Sequence, residues 1–122
     1  MLKKTITYQD YNGNTRTEDF FFNLSKAEIV EMELRENLQG GLGPVLEAVI
    51  ASNDGRQIMD TFKMIISKSY GVKSQDGRSF LKSEEISSGF MGSEAYSQIF
   101  LELVMNPNAA AAFINAIVPP DI

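Results

Sequence analysis

The sequence contains 122 residues, 43% of them hydrophobic and 22% charged, which is the composition of one globular domain with a single core. It has neither cysteine nor histidine, so disulfides, thiolate metal sites and histidine-dependent catalysis are excluded. A net charge of -5 argues against non-specific nucleic-acid binding, and no apolar run reaches the roughly 20 residues of a membrane span. We therefore predict one domain over residues 1–122, with neither nucleic acid nor membrane as a partner.

The first residues do not form a secretion signal. The basic start Met1-Leu2-Lys3-Lys4 is followed by polar residues where a signal peptide has its apolar region. We therefore expect the protein to remain in the cytoplasm of the cell that makes it.

The first predicted element is a two-stranded antiparallel hairpin over about residues 3–22. β-Favouring residues flank a turn signal at Asn12-Gly13-Asn14. A loop of odd length, with Gly13 at a positive φ, places four apolar side chains on one face, and a two-residue loop does not. Those side chains are Ile6, Tyr8, Phe20 and Phe22. We predict the odd loop, and we expect a second element or another subunit to cover Phe21 on the opposite face.

A predominantly helical region is predicted over about residues 25–117. Ser25 and Glu28 form a capping box at the start of the first helix, and Gly40-Gly41 ends the run. The stripe predicted to face the core consists of Ala27, Val30, Leu34 and Leu38.

Two further helices follow before the middle of the chain. The second begins near Pro44, and the third runs from about residue 56 to 70, with Gly71 as its C-terminal cap. The predicted core residues are Val45, Leu46, Val49 and Ile50 in the second helix, and Ile58, Phe62, Ile65, Ile66 and Tyr70 in the third.

The last third of the chain is again helical. Ser83 can open a single helical turn, Ser93 caps a longer helix, and Asn106-Pro107 separates that helix from the last one. The predicted core residues are Tyr96, Ile99, Phe100, Leu103, Val104, Phe113, Ile114 and Ile117. A tail of residues 118–122 follows. The predicted fold is α+β and predominantly helical: an N-terminal two-stranded antiparallel hairpin followed by about five helices.

Basic residues are concentrated in the middle of the chain. Residues 56–82 carry six basic and two acidic side chains, whereas residues 83–122 carry five acidic side chains and no basic one. Two interpretations stay open: charge solvated around the core, or a patch that pairs with another subunit or an acidic partner. The densest part, residues 68–85, is a Gly-punctuated loop between two helical patterns, with room for a short extended stretch. We call it the basic segment.

The sequence contains no complete motif for a cofactor or an ion. Residues 10–14 alternate oxygen ligands like the start of a calcium loop, but Thr15 and Phe21 stand where that loop needs glycine and glutamate. Lys73 lies between two glycines without the spacing or the strand-to-helix pattern of a phosphate loop. We predict no cofactor and no metal ion.

Carboxylates leave one catalytic alternative. A small divalent-metal-dependent enzyme would use Glu28, Glu31 or Glu84, which lie in acidic parts of predicted helices. Acidic residues in first helical turns also complement the helix dipole and keep an exposed face solvated, which we favour. We therefore predict that the chain is not an enzyme.

Two places are candidates for partner binding. Loops that mix basic and aromatic residues often carry function, and the basic segment supplies Tyr70, Lys73, Arg78, Phe80 and Lys82. The alternative is that Tyr70 and Phe80 anchor this segment to the core. The second place is Phe90 with Met91, which lie between two glycines and are expected to be exposed on a mobile stretch.

Four stretches of the sequence carry a resemblance to a known family. They are the basic segment, Lys3-Lys4-Thr5-Ile6-Thr7-Tyr8 with its Asn-Gly turn, Phe20-Phe21-Phe22-Asn23-Leu24-Ser25-Lys26-Ala27-Glu28-Ile29, and Ala109-Ala110-Ala111-Ala112-Phe113-Ile114-Asn115. On these stretches the chain resembles a phage tail assembly chaperone of the siphophage or prophage type. Nearly the whole chain is covered by the resemblance.

The resemblance implies a function in phage morphogenesis. Such a chaperone binds the tape measure protein in the host bacterial cytoplasm, keeps it soluble, helps recruit tail tube subunits of the major tail protein, and is absent from the mature virion. It implies neither catalysis nor a cofactor. Self-association around the client and a frameshifted longer form of the same chain are further expectations. The alternative is a structural neck or tail-completion protein that stays in the particle.

Overall fold

The computed structural model describes residues 1–36 and 41–119. In chain order the elements are β1 (Leu2–Gln9), β2 (Thr15–Phe22), α1 (Lys26–Arg35), α2 (Leu42–Ala51), α3 (Gly55–Ser69), β3 (Tyr70–Lys73), β4 (Phe80–Leu81), α4 (Glu84–Met91), α5 (Glu94–Met105) and α6 (Pro107–Ile117). The predicted α+β, predominantly helical class is confirmed. The hairpin is extended to a four-stranded antiparallel sheet of order β1-β2-β3-β4. The turn predicted at Ser83 is a full helix, α4, capped by that serine.

The register of the hairpin follows the predicted odd loop. Gln9 pairs with Thr15, so five residues connect the strands, and Gly13 has a φ of 81°. All the even-numbered side chains of both strands therefore share the inner face of the sheet. There Ile6, Phe20 and Phe22 are buried, and Tyr8 is half-buried against them.

The basic segment contains the two additional strands. Phe21 pairs with Gly71, and Lys73 pairs with Phe80. Gly71 is thus a buried strand residue, and its prediction as a helix cap is wrong. Helix α3 instead ends at Ser69, whose hydroxyl donates to the carbonyl of Ile65 at 2.7 Å.

The face that α1 turns to the core differs from the predicted one. The capping box of Ser25 and Glu28 is present. However, Val30 and Leu34 are 49% and 78% exposed, and the buried residues of this helix are Ile29 and Met32. Ala27 is exposed as well, so the prediction that Ala27, Val30 and Leu34 face the core is wrong: they lie on the solvent side of α1. Leu38 and Gly40, which were part of that prediction, fall outside the described residues.

Helices α2, α3, α5 and α6 bury the faces expected from their apolar spacing. The buried side chains are Leu42, Leu46 and Val49 in α2, Phe62, Ile65 and Ile66 in α3, Ala95, Ile99 and Leu103 in α5, and Ala110, Phe113, Ile114 and Ile117 in α6. Asn106 accepts hydrogen bonds from two backbone N–H groups at the start of α6, with Pro107 at its first position, as predicted.

Aromatic side chains join the sheet to the helices. The ring of Phe22 contacts Tyr70, Phe90 and Phe113 with centroid separations of 5.4 to 5.7 Å. Tyr70 and Phe90 stack in parallel at 4.2 Å, and such pairs add about 0.5–1.5 kcal/mol to area burial. Within residues 1–36 and 41–119, no single helix has the length and apolarity to cross a membrane. Among the described residues, only α5 and α6 taken together reach the required length and apolarity, and the two helices are bent by 114° relative to each other.

Candidate partner-binding groove

Helices α1 to α4 surround a groove of about 790 Å³ on the side of the domain where the basic segment begins and ends. All four helices contribute residues to its lining. Tyr70, Lys82 and Ser83, from the places where strands join helices along the chain, also line it. The volume lies within the range of binding pockets, which are mostly apolar with a few polar groups.

The floor of the groove is apolar and rich in methionine. Met32, Met64 and Met91 line it from three different helices, together with Val45 and Val49 of α2. Met64 and Met91 are half-buried, whereas Met32 is almost fully buried. Methionine is unbranched and polarizable, so such a floor adapts to side chains of different shapes.

The rim of the groove carries exposed charges of both signs. The lining residues with exposed charged side chains are Glu31, Arg35, Glu36, Lys68 and Glu84. An apolar floor inside a mixed charged rim complements an amphipathic helix, whose apolar stripe is flanked by charged side chains.

Lys82 lines the groove and forms its bonds within the fold. Its Nζ lies 2.6 Å from Oε2 of Glu28 and 2.7 Å from the carbonyl oxygen of Asn23. Burial raises the pKa of the Glu28 carboxyl, but hydrogen bonds from Lys82 and from the Ser25 N–H outweigh it, so that this pKa is lowered. Lys82 therefore fastens the end of β4 to the start of α1.

Three other residues predicted to bind partners contact the sheet. Phe80 covers Gly71, whose Cβ position would lie 2.6 Å from the Phe80 ring. The Nζ of Lys73 lies 4.4 Å from the centroid of Phe21, so this strand supplies the cover expected for that ring. Tyr70 is half-buried in the aromatic cluster, and burial, followed by the negative charge of Glu18, raises the pKa of its hydroxyl. These contacts match the alternative in which Tyr70 and Phe80 anchor the segment.

Arg78 lies at the tip of the β3–β4 connection and is exposed. The turn is held by Asp76, which accepts hydrogen bonds from the Ser74 hydroxyl at 2.7 Å and the Arg78 N–H at 3.0 Å. The same two bonds lower the pKa of the Asp76 carboxyl. Gly77 has a φ of 73°, which a glycine adopts without strain. The tip is thus an ordered turn that presents Arg78 to solvent.

Phe90 and Met91 lie on α4 and not on a mobile stretch. Phe90 is only 5% exposed, so the expectation that it lies at the surface is wrong. Its neighbour Gly89 belongs to the helix, and Gly92 is the helix cap. Met91 is half-buried and lines the groove. Of this pair, only Met91 is placed to touch a partner in the groove.

The structure brings Tyr70, Lys82 and Met91 to one groove and leaves the other predicted residues outside it. Most of the floor, including Met32 and Met64, was not predicted as a site. The sequence feature that could have indicated this floor is the position of several methionines beside the apolar stripes of the helices. In the described ranges, no group of three acidic side chains is placed to hold a metal ion.

Comparison with known protein families gives a match over the full length of the chain. A family model described as "Phage tail assembly chaperone" matches residues 1–122, which is the whole chain. Neither the curated proteins nor the solved structures give a match.

Proposed function

The chain belongs to the phage tail assembly chaperone family, and we propose that it binds amphipathic helices of the tape measure protein in the groove between α1 and α4. On this proposal it keeps that long client soluble in the host bacterial cytoplasm until tail tube subunits, formed by the major tail protein, assemble around it. It then leaves the assembly and is absent from the mature virion. No chemical reaction and no cofactor are part of this function.

The observation that carries the proposal is the methionine-rich floor inside a charged rim. A helix in a groove inserts side chains spaced three or four residues apart along one face, and the half-buried Met64 and Met91 offer flexible thioether side chains to receive them. Among the exposed residues that line the groove, Glu31 and Arg35 of α1 carry opposite charges, and so do Lys68 of α3 and Glu84 of α4. Such a rim accepts a client helix that carries both charges on its polar face.

The proposal includes assemblies larger than one chaperone and one client. Several copies are expected to line up along the client, and a frameshifted longer form of the same chain is expected to join them through its shared domain. The tape measure protein is long, so a row of weak contacts suffices to hold it through avidity.

Co-expression with the tape measure protein of the same phage tests the proposal. We expect the wild-type chain to increase the soluble fraction of the client and to be recovered with it on an affinity tag. Met64→Glu puts a charge on the groove floor, and Met59→Glu is its matched control on the same helix, because Met59 is 41% exposed and outside the groove. Met64→Glu should reduce recovery of the client at least about tenfold, since burying a charge costs several times RT. Met59→Glu should leave the recovery of the client unchanged. Circular dichroism of both variants checks that they fold.

Two results would contradict the proposal. Equal recovery with both variants would exclude the groove, and an insoluble client in the presence of the wild-type chain would exclude the chaperone function. Mass spectrometry of purified virions tests the last step: presence of the chain in the particle would favour a structural neck or tail-completion protein.

A further inference from the structure

Helix α2 begins without a cap from its own first residues. Its N-cap residue is Gly41, which has no side chain, and Pro44 in its first turn has no N–H. The first N–H of the helix belongs to Leu42, which is only 2% exposed. A backbone N–H in such a buried position needs a hydrogen-bond partner within the protein.

Glu33 of α1 supplies this partner. Its Oε2 accepts the hydrogen bond from the Leu42 N–H at 2.9 Å. A carboxylate at the start of a helix also complements the helix dipole. Gly41 leaves room for the carboxylate, because a Cβ at this residue would lie 3.1 Å from the same oxygen. The start of α2 is thus capped by a side chain from α1.

The bond joins two helices that both line the groove. Met32 and Arg35 of α1 lie within two residues of Glu33 and line the groove, as do Val45 and Val49 of α2. Glu33 is not itself one of the lining residues. It can therefore act on the groove only by holding the two helices in place.

Helix α1 is fastened by carboxylates in two places. In its first turn Glu28 bonds to Lys82, and about one and a half turns later Glu33 bonds to the start of α2. The helix buries only two side chains, Ile29 and Met32, so its polar contacts matter more for its placement. Helix α2 packs on α3 and α6 as well as on α1, and these contacts keep it in place without the bond.

We infer that Glu33 is a positioning residue for the groove: its bond to Leu42 fixes how the groove-lining part of α1 lies against that of α2. The inference rests on the proposed function, in which both helices contact the client. The bond itself exists in the free protein, so it can be tested without the client.

Hydrogen exchange of the free protein, followed by NMR, tests the bond. In Glu33→Ala the Leu42 amide should exchange about tenfold or more faster than in the wild type, because its acceptor is lost. The amides of Ile65 and Ile66 in the core of α3 report global unfolding and should accelerate much less. In Glu33→Gln the side-chain carbonyl still accepts, so exchange at Leu42 should stay close to that of the wild type.

Methyl NMR signals test whether the bond positions the groove lining. The methyl groups of Met32, Val45 and Val49 report the placement of α1 and α2 beside the groove. Their signals should shift in Glu33→Ala and stay unchanged in Glu33→Gln. Glu47→Ala is the control for a lost charge, because Glu47 is exposed on α2 and outside the groove lining. It should leave these signals unchanged.

Recovery of the co-expressed tape measure protein tests the consequence for binding. Glu33→Ala should reduce recovery of the client about fivefold or more, and Glu33→Gln should restore most of it. Ile99→Val is the control for lost stability alone, because Ile99 is buried in α5 and does not line the groove. It should leave recovery unchanged.

Four results would overturn the inference. The first is equal exchange at Leu42 in Glu33→Ala and the wild type. The second is unchanged methyl signals in Glu33→Ala, which would make Glu33 a cap of α2 only. The third is equal client recovery by Glu33→Ala and a wild type that binds the client, and the fourth is an equal loss in Ile99→Val. A wild type that fails to recover the client contradicts the proposed function instead, and the exchange and methyl measurements then decide whether Glu33 positions α1.

Discussion

The aromatic ring of Phe80 lies directly against Gly71, across the β3–β4 pair. A Cβ at Gly71 would come within 2.6 Å of Cε2 of that ring, a separation that real side chains do not tolerate. The glycine is thus required by a contact with a residue nine positions later, and not by the end of a helix. Phe80 in turn receives the ammonium of Lys82, whose Nζ lies 5.6 Å from the ring centroid.

Gly71→Ala should therefore lower the free energy of unfolding by about 1–3 kcal/mol, as overpacking does in well-packed sites. Urea unfolding followed by circular dichroism measures this. Gly89→Ala is the control, because a Cβ at Gly89 in α4 meets nothing within 4 Å. That substitution should raise stability by about 0.5–1 kcal/mol through the helix propensity of alanine.

A double-mutant cycle identifies the cause. If a steric clash with the ring of Phe80 causes the loss, Gly71→Ala should lower the free energy of unfolding much less in the background of Phe80→Ala. An equal cost in both backgrounds would show that the strand conformation, and not the ring, needs the glycine.

The bond between Lys82 and Glu28 should contribute to stability, although Lys82 lies in a segment predicted to bind partners. Lys82→Met removes a donor to both the Glu28 carboxylate and the Asn23 carbonyl, and should cost about 1–2 kcal/mol in thermal or urea unfolding. Arg78→Ala, at the exposed tip, should change stability by no more than about 0.5 kcal/mol. If the two substitutions had equal effects on stability, the bonds of Lys82 to Glu28 and Asn23 would not stabilise the fold as the structure indicates.

The same pair predicts a dependence of stability on pH. The pKa of Glu28 is lowered in the folded chain from its ordinary value of 4.5, because hydrogen bonds from Lys82 and Ser25 outweigh the effect of burial. A lowered carboxyl pKa contributes stability above the unfolded pKa, and this contribution is lost as the pH falls through the folded pKa. Glu28→Gln should therefore lose less stability than the wild type between neutral and acidic pH. A parallel loss in both proteins would contradict this assignment.

Phe90 should behave as a core residue. Its ring stacks on Tyr70 at 4.2 Å and contacts Phe20, Phe22 and Tyr96. Phe90→Ala should cost about 3–5 kcal/mol, and Phe90→Leu clearly less, because leucine fills more of the cavity. Stability of Phe90→Ala within about 0.5 kcal/mol of the wild type would mean that the ring is not buried in solution.

The fold was predictable where local patterns and burial agree. In the hairpin, the apolar residues of both strands are even-numbered, and they can share one face only if the loop has an odd number of residues. Ile6 and Phe20 are therefore enough to predict the register without any contact to the helices. Asn106 and Pro107 likewise mark a helix start by their own chemistry. Gly71 was misassigned because a glycine after a helix is usually a cap, and only the distant Phe80 shows otherwise.

The groove was harder to predict because it is made by four helices together. Each methionine of the floor lies beside an apolar stripe, and sequence spacing alone does not say which of them the packing leaves accessible. Phe90 was misplaced for a related reason. Two flanking glycines suggested mobility, but the long-range stack on Tyr70 buries the ring.

Helix α1 supplies the last prediction, because it has two apolar stripes at helical spacing. Ile29 and Met32 form one, and Val30 and Leu34 form the other, so periodicity could not choose between them. In the structure Met32 is 8% exposed and Leu34 is 78% exposed. Met32→Ala should therefore cost about 2–5 kcal/mol, whereas Leu34→Ala should change stability by no more than about 0.5 kcal/mol. The two variants differ only in position on one helix, so urea unfolding compares them directly. A larger loss for Leu34→Ala would mean that α1 is rotated by about half a turn in solution.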